Sequence, residues 1–183
     1  MGILLAFGPF IVFAVVDRLV GATAGLVAGA AVSAALLGRD LLTPRRRPKL
    51  LEAGTLILFG ALAVYAVLGG TAGSIFGVRL CVDAGLLLIV LASMAIGRPF
   101  TLQYARGQVP REYWDKPAFI RTNYVITAVW ALAFAVIVAA DAIVVYVPGV
   151  PTRAGVVATI LALVGAIKFT GWYPDRQQAN APG

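Results

Sequence analysis

Long apolar stretches separated by short charged segments make up most of this sequence. Six of them run approximately over residues 3–17, 21–38, 51–69, 78–96, 122–147 and 154–172. A helix needs about 20 apolar residues to cross the roughly 30 Å of hydrocarbon in a bilayer. The pattern therefore predicts an all-α polytopic membrane protein, with about six transmembrane helices in one membrane domain that covers residues 1–183.

The composition excludes most other classes. Hydrophobic residues make up 61% of the chain and charged residues 13%, which is too few charges to cover a soluble protein. The net charge of +7 is explained by membrane topology and anionic lipid, so we expect no nucleic-acid partner. There is no His, and Cys81 is the sole cysteine, so we expect no haem, no metal and no other cofactor. An enzyme is the least favoured class, because acid–base residues are scarce.

The distribution of basic residues predicts the topology. Twelve of the fifteen Lys and Arg residues lie in the segments 39–50 and 98–121 or near the C-terminal end. The other three, Arg18, Arg79 and Arg153, lie at short connections that would face the opposite side. Because short loops rich in Lys and Arg stay in the cytoplasm, both long loops and both termini are predicted to be cytoplasmic, in a bacterial inner membrane. A re-entrant hairpin over residues 1–38 would give the same charge distribution as two spans.

Small residues recur every four positions in the second stretch, at Gly21, Gly25, Gly29 and Ser33. This spacing lines one helix face with small groups and lets another helix approach closely. The alternative is a general richness in Gly and Ala. If the face is packed, Gly25→Leu lowers stability, and Leu26→Ala is expected to do less.

Charged residues at the predicted outer ends form a second candidate group: Asp17, Arg18, Arg79, Asp83, Asp141 and Arg153. Charges close to membrane helices are candidates for a substrate site. These charges are balanced and interfacial, so a structural network of outer ion pairs is the favoured interpretation. Arg79 and Asp83 are four residues apart and can pair on one helix face.

Two basic segments are candidates for binding lipid or protein partners. Arg45, Arg46 and Arg47 lie between prolines and are most simply a topology anchor that can also hold anionic headgroups. The segment 98–121 is interpreted either as a solvated basic loop or as a platform for lipid or partners, since its rings would enter the acyl boundary while its cations meet phosphate. Its candidate residues are Tyr104, Arg106, Arg111, Tyr113, Trp114 and Lys116.

The sequence resembles the bacterial intracellular septation protein A family, also called YciB. The resemblance rests on Pro9, Phe13 and Ala22-Thr23, on the basic first loop, on the GRPF motif at 97–100, and on Trp114, Asn123, Trp130-Ala131 and Phe134. The stretch QYARGQVPREYWD departs from the family by being more basic and aromatic. The resemblance implies a multi-pass inner-membrane protein linked to cell division and envelope integrity, and it carries over no catalytic residues.

We therefore expect a non-enzymatic protein that acts in envelope or septation processes through the lipid bilayer, anionic lipids and other membrane proteins. Two alternatives remain open. A small transporter or lipid-handling protein should have a polar cavity between its helices. An accessory subunit of a larger complex should have an apolar lateral face that binds another protein.

Overall fold

The structure, a computed structural model, describes residues 5–43, 49–70 and 75–179. Every regular element in these ranges is helical, and they contain no strand. The described ranges contain these α-helices: α1 (Gly8–Leu19), α2 (Ala22–Leu42), α3 (Leu50–Tyr65), α4 (Ile75–Ala95), α5 (Phe100–Ala105), α6 (Pro117–Tyr146) and α7 (Thr152–Ala179). A π-helical segment, Ala66–Gly70, extends α3, and a 3₁₀ turn, Arg111–Tyr113, precedes α6.

Five helices in the described residues are long and apolar enough to cross a membrane: Ala22–Leu42, Leu50–Gly69, Gly77–Ala95, Pro117–Tyr146 and Thr152–Gln177. The all-α class is therefore confirmed, and these helices fit a multi-pass membrane protein. The described helix in the first predicted stretch, α1, has 12 residues. At 1.5 Å per residue that is about 18 Å, less than the thickness of the hydrocarbon.

The segment 98–121 differs most from the prediction. It holds the short helix α5, the 3₁₀ turn and the first turn of α6, which begins at Pro117. Proline suits this first helical position because its missing N–H would have no partner there. At the start of the segment, Gly97 adopts φ 74°, and Pro99 caps α5. The chain therefore turns back into helix soon after α4 ends.

The chain forms two compact units, Met1–Ile89 and Val90–Gly183. The first unit contains α1 to α3 and most of α4. Its core includes Phe13 and Leu26 packed with Phe59, and the rings of Phe13 and Phe59 are 5.6 Å apart. Leu26 is only 1% exposed, so Leu26→Ala would also remove a packed side chain, and its effect relative to that of Gly25→Leu stays a prediction.

The core of the second unit is built around Trp130 on α6. Its ring meets Phe100 of α5 edge-on at 6.4 Å and Phe134 at 5.6 Å. Its indole N–H donates to the Thr170 hydroxyl of α7, 2.9 Å away. Helices α6 and α7 form an antiparallel hairpin, since the contact of Gly155 with Val144 lies near the opposite end. The start of α6 and the end of α7 therefore share one end of the hairpin.

Candidate functional site

A cluster of cations and rings lies between α5 and α6. We call Arg106, Arg111, Tyr113, Trp114 and Lys116 the cation–aromatic surface. The guanidinium carbons of Arg106 and Arg111 each lie 5.6 Å from the Trp114 ring centroid. The Lys116 ammonium lies 4.0 Å from the Tyr113 ring centroid. Each ring therefore has a cation close enough for an attractive cation–π interaction.

Hydrogen bonds from side chains to backbone carbonyls hold this surface in place. The Trp114 indole N–H donates to the Val109 carbonyl at 3.2 Å. Arg106 donates to the Trp114 carbonyl at 3.4 Å, and it lies 3.8 Å from the Asp115 carboxylate. Asp115 is almost fully exposed, so this ion pair is worth little. The remaining contacts are enough to give the segment a defined conformation around Trp114.

The surface is smaller than the sequence predicted, because Tyr104 is not part of it. Its side chain is 5% exposed and lies on α5 with Phe100, Thr101 and Leu102, which are also buried. The Thr101 hydroxyl hydrogen-bonds the Thr127 hydroxyl at 2.6 Å, on α6. Helix α5 therefore belongs to the interior of the second unit, and the assignment of Tyr104 to a lipid or partner site is corrected to packing.

A second group of rings and cations lies at the same end of the hairpin. The Arg176 guanidinium carbon is 5.0 Å from the Trp172 ring centroid. Phe169 stacks on Tyr173 with ring centroids 5.0 Å apart. Aromatic residues and cations together are typical of the membrane–water interface. Both groups are therefore placed where one interface would meet the α6–α7 hairpin.

A buried ionic network in the first unit was missed by the sequence analysis. The Asp40 carboxylate is 0% exposed and accepts hydrogen bonds from Arg39, at 3.2 Å, and from the Lys49 ammonium. Lys49 also donates to Glu52 at 2.9 Å. These residues flank the predicted lipid-binding cluster Arg45–Arg47, which lies outside the described residues. The signal that could have revealed the network is the acidic Asp40 inside a strongly basic segment.

The predicted outer charges have different environments. Arg79 and Asp83 form the expected pair at 3.9 Å on α4. Arg18 and Arg153 are exposed and make no ion pair within the described part of the chain. Asp17 has one carboxylate oxygen that is buried without a hydrogen-bond partner. Asp141 is 8% exposed, and it lies beside Gly155. The structure therefore shows the predicted outer ion pair between Arg79 and Asp83.

Three of the four predicted positions on the small-residue face of α2 are buried: Gly25, Gly29 and Ser33. A Cβ on Gly25 would lie 3.0 Å from the backbone of α1, and one on Gly29 would lie 2.8 Å from the Phe59 ring. Ser33 is buried, and its hydroxyl donates to the Gly29 carbonyl at 2.8 Å. Gly21 is not a packing residue. It lies in the turn before α2 with φ 121°, which a glycine adopts without strain.

Two further features bear on ligands. No group of three or more His, Cys, Asp and Glu side chains that could hold a metal occurs in the described ranges, and Cys81 is exposed on α4.

An open groove of about 650 Å³ follows α2 and is lined by Val20, Gly21, Ala22, Thr23, Ala24, Val27, Ala28 and Ala31. These side chains offer a polar solute one hydroxyl and no charge.

Comparisons with protein-family models, with curated proteins and with solved structures found no match for this chain.

Proposed function

We propose that this chain is a non-enzymatic, multi-pass protein of a bacterial inner membrane, and that the cation–aromatic surface is where it contacts anionic lipid headgroups. The observation that carries the proposal is that the guanidinium carbons of Arg106 and Arg111 both lie 5.6 Å from the centroid of the Trp114 ring. A ring at the acyl boundary with cations beside it suits a headgroup layer that contains phosphate. Arg176 beside Trp172 adds a second such pair at the same end of the hairpin.

The proposed topology has six spans, with both termini and the segments 39–50 and 98–121 in the cytoplasm. Its support is the unequal distribution of Lys and Arg between the two sets of connections. Single cysteines placed at positions 46, 108, 73 and 150 of a Cys81→Ser protein test it in intact cells. An impermeant thiol reagent should label positions 73 and 150 and miss positions 46 and 108. Labelling at 46 or 108 would contradict the topology.

The cellular role that we propose is in septation or envelope integrity, exerted through membrane partners. Its support is the resemblance of the sequence to the septation protein A family, notably GRPF at 97–100 and Trp130-Ala131. Deleting the gene in its host should lengthen cells or sensitise the envelope, and the intact gene should restore both.

A matched pair of double variants tests whether the proposed role in septation or envelope integrity depends on the cation–aromatic surface. Arg111→Ala with Trp114→Ala removes one cation and one ring from the cation–aromatic surface and should fail to restore the deletion strain. Arg153→Ala with Tyr146→Ala also removes one arginine and one aromatic ring, from exposed positions at the other end of the hairpin, and should restore it. If both double variants restore the deletion strain equally when they are present in the membrane in equal amounts, the cation–aromatic surface is not needed for the cellular role. A deletion without effect on division or envelope would refute the role.

A further inference from the structure

The guanidinium group of Arg106 is open to an outside anion at its Nη end. Its Nε atom is buried and has no hydrogen-bond partner within the described residues. Its Nη2 atom lies 3.4 Å from the Trp114 carbonyl and 3.8 Å from the carboxylate of Asp115, a side chain that is 97% exposed. Because protein atoms cover Nε, a ligand would meet Arg106 at the end where Asp115 already lies.

Asp115 stands in front of Arg106 without satisfying it. A hydrogen bond between a charged donor and a carboxylate is about 2.7–2.9 Å long, so the 3.8 Å contact is an ion pair without a hydrogen bond. An exposed pair of this kind is weak. The carboxylate therefore marks a position for an anion next to Arg106, but it fills that position poorly.

The other cations of the surface are available to the same ligand. The side chains of Arg111 and Lys116 are exposed, and neither makes an ion pair or a hydrogen bond within the described residues. The guanidinium carbons of Arg106 and Arg111 are no more than about 11 Å apart, since each is 5.6 Å from one ring centroid. Helix α6 begins directly after Lys116 with no acid in its first turn, so its positive end adds to the same region.

We propose that Asp115 is an internal competitor of the lipid headgroup, whose phosphate takes the place of the Asp115 carboxylate at the Nη end of Arg106. The proposal rests on the proposed function and adds how headgroup binding is regulated. A phosphate diester has two charged oxygens that can accept hydrogen bonds from the guanidinium, whereas Asp115 accepts none. The displaced carboxylate stays in solvent, where it is already almost fully exposed.

The competition sets how much anionic lipid is needed to occupy the surface. Because the ion pair is weak, Asp115 lowers the affinity for the headgroup without preventing binding. Removing its charge should therefore shift occupancy to a lower fraction of anionic lipid. Free phosphate has the same chemistry, but a lipid also offers acyl chains to the aromatic rings beside the cations.

The test measures the Kd of a water-soluble, six-carbon phosphatidylglycerol for the full chain in detergent by titration calorimetry, with phosphatidylcholine of equal chain length as the zwitterionic control. Asp115→Asn removes the charge and keeps the size of the side chain. We expect it to lower the Kd for phosphatidylglycerol about two- to fivefold, the range for loss of an exposed ion pair.

Glu112→Gln is the matched control. Glu112 is exposed in the same segment, and its carboxylate makes no ion pair within the described residues. The substitution changes the net charge by the same amount as Asp115→Asn. It should change the Kd less than about 1.5-fold, because charges without a close contact are largely screened by salt.

Arg106→Gln shows whether the gain acts through Arg106. Glutamine removes the positive charge and keeps a donor for the Trp114 carbonyl. With Arg106→Gln, the change Asp115→Asn should improve binding no more than Glu112→Gln does, since the two residues of the pair then no longer interact. Inorganic phosphate titrated in place of the lipid should bind the unmodified chain at least tenfold more weakly.

Four results would overturn the proposal. These are equal gains from Asp115→Asn and Glu112→Gln, a gain from Asp115→Asn that persists with Arg106→Gln, weaker binding by Asp115→Asn, and inorganic phosphate that binds as tightly as the lipid. An unmodified chain that binds both lipids equally would refute the proposed function and this proposal with it.

Failure of this proposal alone has a different signature. The unmodified chain would then prefer phosphatidylglycerol and lose that preference with Arg111→Ala and Trp114→Ala, while Asp115→Asn would bring no gain over Glu112→Gln.

Discussion

The two units join apolar helices by different means. In the first unit, glycines let helices approach until side chains fill the gap: Gly54 lies against Ile89, and Gly85 lies against Leu58. In the second unit, hydrogen bonds between side chains connect the helices, as from Thr101 to Thr127 and from Trp130 to Thr170. Helices in lipid lack a strong hydrophobic drive to associate, so both close packing and interhelical hydrogen bonds serve this purpose.

The difference predicts how each unit responds to mutation. Close packing tolerates no added volume, because neighbouring atoms are already at contact distance. An interhelical hydrogen bond in a membrane protein contributes only about 0.6 kcal/mol on average. Variants of the first unit should therefore cost more stability than variants of the second. Gly29→Leu and Trp130→Phe compare the two units directly, and Asp40→Leu adds the ionic network of the first unit.

The largest effect is expected from Asp40→Leu in the ionic network of the first unit. The Asp40 carboxylate is fully buried, and its removal takes a carboxylate partner from Lys49. Breaking a buried ion pair costs about 3–5 kcal/mol, and we expect the lower end because Lys49 keeps Glu52 and some solvent. Unfolding by SDS in bicelles measures the loss.

Arg39→Ala is the matched control for that variant. Arg39 contacts the same carboxylate, but its side chain is 42% exposed, so its loss should cost less than about 1 kcal/mol. Equal effects of the two variants would mean that burial of Asp40 does not determine the strength of the network.

Gly29→Leu should come next, with a loss of about 1–3 kcal/mol. Even the first carbon of a side chain at this position would lie 2.8 Å from the Phe59 ring. The ring must therefore move, or α2 and α3 must separate. Val27→Leu on the same helix is the control, since Val27 is 48% exposed and has room for another methylene. Equal tolerance of both substitutions would contradict close packing at Gly29.

Trp130→Phe should have the smallest effect, about 0.6–1.5 kcal/mol, because it removes one hydrogen bond and keeps a ring in the core. Thr170→Val removes the other partner of the same bond. The double variant should lose little more than either single one, since both remove one interaction. Additive losses would show that the two side chains act independently and that this bond does not couple α6 to α7.

The long helices were predictable because a helix that crosses a membrane needs about 20 consecutive apolar residues, and few other structures need so long an apolar stretch. Helix α5 was not, because six residues beside Arg98 and Arg106 have no hydrophobic pattern long enough to distinguish a buried helix from a loop. Burial of Tyr104 depends on Gly97 and Pro99 turning the chain back toward α6. The charged residues close to Tyr104 in the sequence do not indicate that its side chain is buried.

The candidate sites were predictable in composition but not in geometry. The sequence shows that Trp114 has several cations close to it along the chain. It does not show that Arg106 and Arg111 lie beside the Trp114 ring, because that arrangement depends on the turn between α5 and α6. The burial of Asp40 depends on how α2 continues past the apolar stretch to Leu42. The register of α7 on α6 depends on the bond between Trp130 and Thr170, which the sequence alone does not show.

Hydrogen exchange on the full chain in nanodiscs tests whether the cation–aromatic surface is ordered and meets anionic lipid. Amides over 104–118 should be protected in nanodiscs that contain an anionic lipid and exchange faster in purely zwitterionic ones. The Arg111→Ala, Trp114→Ala variant should lose that difference, while exchange in the rest of α6 stays slow. Rapid exchange over 104–118 that is the same in both lipids would contradict the claim and identify the segment as a solvated loop.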